Sequence, residues 1–87
     1  MSVNKTLVER GDRYGRFEDV AATSSSIKHI IRSSDGWERL RPYQKEALDM
    51  IANKVARIVN GDPDYIDSWH DIAGYASLAE QELKNDN

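Results

Sequence analysis

Between Pro42 and Leu83 the apolar residues recur at three- and four-residue steps, and the pattern is broken once, by Asn60-Gly61-Asp62-Pro63. At about 100° per residue, Leu48, Ile51, Ala52, Val55, Ile58 and Val59 form one stripe on a first helix. Tyr65, Trp69, Ile72, Ala73, Ala76, Ala79 and Leu83 form a stripe on a second. Pro42 suits a first helical turn, where its missing N–H is no loss, and Asn60-Gly61 suits a helix end. Asp64 is then the expected N-cap of the second helix. So short a connection makes consecutive helices antiparallel. The expected fold is all-α: a small helical bundle built on an antiparallel hairpin of about residues 42–60 and 65–83, in a single domain over 1–87.

Upstream, one or two shorter helices are expected. Leu7 and Val8 sit in a polar stretch from Asn4 to Arg10 that should stop at Gly11. Phe17, Val20, Ala21, Ile27, Ile30 and Ile31 keep helical spacing from Phe17 to Arg32, although Ser24, Ser25 and Ser26 are poor helix formers. Ser33-Ser34-Asp35-Gly36 reads as a turn, and Trp37 to Leu40 as a further short turn before Pro42. Lys84 to Asn87 should fray.

The chain has 87 residues, so a core of this size buries only about 60% of the surface of the unfolded chain. Its zero cysteines exclude disulfides, Cys-type zinc sites, iron–sulfur clusters and thiol nucleophiles, which leaves oligomerisation as the available stabiliser. A homo-oligomer is therefore expected, with the second subunit covering the side of the last helix that carries Asp67, Asp71, Gly74 and Leu78. The net charge of −3, with basic and acidic residues interleaved, argues against nonspecific DNA binding. No apolar run approaches the roughly 20 residues that span a bilayer, and MSVNKTLVER lacks the apolar centre of a secretory signal. The expectation is a cytoplasmic chain without membrane contact.

Two groups of residues carry potential chemistry. Glu46 and Asp49 lie three apart on the first hairpin helix, and Asp67 and Asp71 four apart on the second. Facing helices that each present an acid pair can hold Mg²⁺ or Mn²⁺; the alternative is a solvated acidic face. The second group is cationic and aromatic. Gly11-Asp12-Arg13-Tyr14-Gly15-Arg16 packs two arginines and a tyrosine between glycines, which suits either an anion-binding turn in which Tyr14 stacks on a base or a helix-joining turn with a packed tyrosine. Lys54 and Arg57 flank the first stripe and should approach Asp71 and Tyr75, either gripping a phosphate or forming interhelix ion pairs. Trp69 is expected in the core. Trp37 is expected to cover the end of the bundle or to stack on a base, and His70 to serve packing or surface.

Three strings, ERGDRYGRF from Glu9 to Phe17, EALDMIANKVARIVNG from Glu46 to Gly61 and DSWHDIAGY from Asp67 to Tyr75, together resemble a family of small helical proteins encoded by tailed bacteriophages and prophages. That family is more distantly similar to the MazG-like all-α nucleoside triphosphate pyrophosphohydrolases, which use magnesium held by a Glu-x-x-Glu and a Glu-x-x-Asp pair. The resemblance implies a nucleotide or nucleotide-derived ligand and Mg²⁺ on Glu46, Asp49 and Asp71, with Asp67 nearest the fourth ligand position; Arg13, Tyr14, Arg16, Lys54, Arg57 and Tyr75 are the residues of this sequence expected to bind that ligand. Asp67 stands four residues before Asp71 rather than three, which displaces it by about 100°. Two functions follow from the resemblance. One is magnesium-dependent pyrophosphohydrolysis in the cytoplasm of a bacterial host. The other is a non-enzymatic anti-defence protein that sequesters a host nucleotide signal or inhibits a host protein.

Overall fold

The computed structural model describes residues 3–86 and contains, in order, α1 (Val3–Tyr14), α2 (Phe17–Arg32), a short 3-10 turn (Trp37–Arg39), α3 (Pro42–Asn60) and α4 (Ile66–Asp86). The fold is a small all-helical bundle built on the α3–α4 hairpin, and no strand occurs among the described residues. No helix among them is long and apolar enough to cross a membrane.

Helix α3 is the central element. Arg32 Nη2 lies 2.8 Å from Asp49 Oδ2, and Asn60 Nδ2 donates to Thr23 Oγ1 at 2.9 Å, so α2 runs antiparallel along one side of α3. Lys54 Nζ lies 3.5 Å from Asp71 Oδ2, and Tyr43 Oη donates to Asp86 Oδ2 at 2.9 Å, so α4 runs antiparallel along another. These two contact lines are about 120° or more apart around α3. Close approach on both sides is possible because the residues at the contacts are small. Ala52, Ala56, Ser24 and Ser68 are buried, Ala56 completely. Where alanine and serine set the spacing, larger aliphatic side chains remain at the edges, and among the described residues no large side chain is fully buried.

Several expectations are corrected here. Helix α1 does not stop at Gly11, because one helical glycine costs only about 1 kcal/mol. It stops at Gly15, whose φ of +88° is the left-handed conformation a side chain resists, and whose N–H donates to Gly11 O at 2.8 Å. The serine run does not interrupt α2. Ser24 is buried, and with Val20, Ile27 and Ile31 it forms the inner stripe, leaving Phe17 86% exposed and Ile30 outside. On α4 the inner face is Ser68, Ile72, Tyr75, Ala79 and Leu83, while Ala73 and Ala76 are exposed. Trp69 is not core: it is exposed, and its Nε1 donates to Pro63 O at 2.8 Å.

Asp64 does not cap α4, which begins at Ile66. The loop is closed instead by Asp62, whose Oδ1 accepts from Asp64 N at 2.9 Å and whose carbonyl accepts from Tyr65 N at 3.2 Å. The expected frayed tail is helical to Asp86, whose carboxylate accepts from Tyr43 and lies 3.7 Å from Arg41. Asn87, the last residue of that tail, lies outside the described residues. Pro42 opens α3 as expected, with Gln44 Oε1 accepting from Arg41 N at 2.8 Å to satisfy a donor at the helix start.

Candidate functional site

The turn between α1 and α2 sits against the C-terminal end of α3. Asp62 N donates to Arg13 O at 2.9 Å, joining the α3–α4 loop to the end of α1. Gly15 and Gly61 make this contact possible. A Cβ on Gly61 would overlap the Arg13 carbonyl oxygen, and one on Gly15 would overlap the Asn60 carbonyl. Two helix ends therefore meet backbone to backbone, and the side chains beside them converge.

What converges is aromatic and cationic. The Tyr14 and Tyr65 rings meet edge to face with centroids 5.6 Å apart. The guanidinium of Arg57 lies 4.6 Å from the Tyr14 ring centroid and that of Arg10 lies 5.2 Å from it, while Arg13 lies 5.3 Å from the Tyr65 centroid. Tyr65 Oη accepts from Arg13 at 3.5 Å and donates to Asp67 at 3.1 Å. The bond to Asp67 raises the Tyr65 pKa above its ordinary value. Among the described residues no carboxylate lies within 4.0 Å of Arg10, Arg13 or Arg57.

Beside this cluster, between α1, the start of α2 and α3, lies a cavity of about 730 Å³. Arg10, Arg16, Arg57, Tyr14 and Asn53 supply its polar wall, and Leu7, Phe17 and Val20 supply apolar surface. Asp12 is the acidic residue in its lining, and Arg16 lies 3.6 Å from Glu18 with both side chains in solvent.

The structure thus brings together Arg13, Tyr14, Arg16 and Arg57 of the expected binding residues, and adds Arg10, Asn53 and Tyr65. Lys54 and Tyr75 lie elsewhere. Lys54 is 7% exposed and pairs with Asp71; Tyr75 lines a separate groove of about 240 Å³ with Tyr43, Glu46, Leu78 and Glu82. Arg10 was legible in principle: it stands four residues before Tyr14, one helical turn away, once α1 is carried through Gly11.

The four acids take four different partners or none. Asp49 binds Arg32, Asp71 binds Lys54, Asp67 accepts from Tyr65, and Glu46 is exposed beside the α3–α4 groove. Among the described residues no three of His, Cys, Asp or Glu are grouped so as to hold a metal ion. Glu46, Asp49, Asp67 and Asp71 are thus not gathered into one group among the described residues, and the neighbouring helices supply cations to two of the four.

The Lys54–Asp71 pair has a structural consequence. Asp71→Ala leaves a buried ammonium without its partner and should cost about 2 kcal/mol, below the usual figure for a buried pair because the Asp71 side chain is 45% exposed. Lys54→Met keeps the volume, removes the charge, and should be close to neutral. Urea denaturation of the two variants measures the difference. Equal losses would show that charge burial does not govern this contact.

None of the curated proteins and none of the solved structures compared matches the chain. A family described as a domain of unknown function (DUF6378) matches residues 2–83, nearly the whole chain, and the protein belongs to that family.

Proposed function

We propose that the protein binds a nucleotide through its phosphates at the α1–α2 corner. The observation that carries this reading is the set of guanidiniums at Arg10, Arg13 and Arg57, each over a tyrosine ring and with no carboxylate within 4.0 Å among the described residues. A guanidinium over a ring face keeps N–H donors for phosphate oxygens; Arg13 gives one of its own to Tyr65 Oη and retains the rest. An ordinary surface arginine is paired or mobile, so a group of three in this state is better explained by an anion than by packing alone. The apolar wall of Leu7, Phe17 and Val20 offers cover for a base, and the cavity volume lies within the roughly 300–1,000 Å³ usual for small-molecule sites.

The reading agrees with the nucleotide ligand implied by the resemblance to MazG-like proteins, and it sets the protein to work in the cytoplasm of a bacterial host. Of the two forms that resemblance allows, we favour the binder that sequesters its ligand. The cations lie at the corner, whereas of Glu46, Asp49, Asp67 and Asp71 only Asp67 reaches it, through Tyr65, while Asp49 and Asp71 are paired with Arg32 and Lys54. Alanine at Asp67 and Asp71 together should leave nucleotide affinity within a few fold, and no pyrophosphate should be released in the presence of magnesium. Turnover dependent on those acids would replace the binder with a hydrolase.

Arg57→Ala tests the site itself. Removing one charge-assisted contact should weaken binding of nucleoside triphosphates about ten- to a hundredfold. Calorimetric titration of wild type and variant reads this, with circular dichroism showing that the fold is retained. Equal affinities would remove the corner from consideration.

A further inference from the structure

Two aromatic side chains line the cavity beside the α1–α2 corner, Tyr14 and Phe17, and their surroundings are opposite. Tyr14 is half-buried and its ring is already engaged. The guanidiniums of Arg57 and Arg10 lie 4.6 Å and 5.2 Å from its centroid, and the Tyr65 ring meets it edge to face. Phe17 is 86% exposed, more than any other large hydrophobic side chain described. Its place in the helix is nonetheless an inner one. It stands three residues before buried Val20 and continues the stripe of Val20, Ser24, Ile27 and Ile31. At that end of α2 the stripe fronts the cavity, whose wall holds both Phe17 and Val20. A ring on the inner line of a helix and still in solvent is flat apolar surface that a ligand in the cavity can cover.

We infer that the base of the bound nucleotide stacks on Phe17, and that the site therefore prefers purine nucleotides. The inference rests on the phosphate reading above and adds the base to it. Tyr14, the ring that the sequence offers for stacking, is taken up by two arginines and Tyr65, so the role falls to the other aromatic of the lining. Phe17 directly follows Arg16, and both share the cavity wall with Arg10 and Arg57, so one ligand can reach the ring and the cations together. Stacking on an aromatic side chain accepts the π-face of every base. Selection is then by stacked area, and the two fused rings of a purine cover more of the phenyl face than the single ring of a pyrimidine.

Calorimetric titration of the full chain with ATP, UTP and inorganic triphosphate separates the base from the phosphates. Wild type should bind ATP about tenfold or more tighter than triphosphate, with UTP between the two. Phe17→Ala should erase the advantage of ATP and leave triphosphate affinity unchanged, whereas Phe17→Trp should keep it. Because the side chain is mostly in solvent, helical circular dichroism should be the same in all three proteins. If Phe17→Ala nevertheless loses that signal, Phe17→Leu, which keeps apolar bulk without a ring, should still lose most of the advantage. Triphosphate that binds as tightly as ATP, UTP that binds as tightly as ATP, or an ATP advantage that survives the loss of the ring would each overturn the inference while leaving the phosphate site in place. A wild-type chain that does not bind triphosphate would remove the phosphate site itself, and the inference with it.

Discussion

Gly61→Ala is expected to lower the stability of the fold by about 3 kcal/mol or more, through overlap of backbone with backbone. Its Cβ would meet the Arg13 carbonyl oxygen, the Tyr14 carbonyl carbon and the Gly15 nitrogen, none of which is the flexible end of a side chain. Gly15→Ala should cost as much, since it adds about 1–2 kcal/mol of left-handed backbone strain at φ +88° to an overlap with Asn60. For a chain of this length a loss of about 3 kcal/mol lowers the melting temperature by roughly 12–24 °C. Gly11→Ala is the internal control. Nothing lies within 4 Å of its Cβ, and the site is helical, so the variant should gain about 0.5–1 kcal/mol. Thermal melts of the three variants read the contrast. A Gly61→Ala protein that melts with wild type would mean that the α1–α2 corner does not rest on the α3–α4 loop.

The two tryptophans should behave oppositely. Trp37 is 9% exposed, with the Lys45 ammonium 5.6 Å from its ring centroid, and it is the one large aromatic among the buried residues described. Trp37→Ala should cost about 3 kcal/mol, near the low end for such a truncation because the layer around it is thin. Trp69 is 55% exposed and makes one hydrogen bond, to Pro63 O. Trp69→Ala should cost about 1 kcal/mol, the worth of that bond. Urea unfolding of both variants measures the difference, and a larger loss at Trp69 would put the core on the wrong side of α4.

That reversal shows what the amino-acid order makes legible. The α3–α4 hairpin follows from local periodicity, a proline at one helix start and a glycine at its end, all of which act within a few residues. The faces of the flanking helices do not. On α2 and α4 a buried serine, Ser24 or Ser68, takes the position where a large aliphatic would be expected, because α3 approaches closely there. Apolarity then points to Phe17, Ile30 and Trp69, which the packing leaves outside.

The candidate site divides in the same way. Arg13, Tyr14 and Arg16 stand out because they crowd a glycine-bounded turn. Arg57 joins them through an antiparallel geometry that spacing along the chain implies only loosely. Tyr65 and Asn53 come from elements whose meeting depends on Gly15 and Gly61 touching, a contact without periodicity. The acid pairs illustrate the converse. Three- and four-residue spacing sets Glu46 with Asp49 and Asp67 with Asp71, but it is silent about Arg32 and Lys54, which the packed helices bring to two of those carboxylates.

Phosphate binding by the corner guanidiniums is what the proposed function stands on. Its most direct measurement is a calorimetric titration of the full chain with a nucleoside and its mono-, di- and triphosphates at low and high salt. The nucleoside should give no detectable binding, affinity should rise with each added phosphate, and that gain should be lost both at high salt and in Arg57→Ala. Equal binding across the series, or no heat from any member of it, would mean that the corner does not bind phosphate.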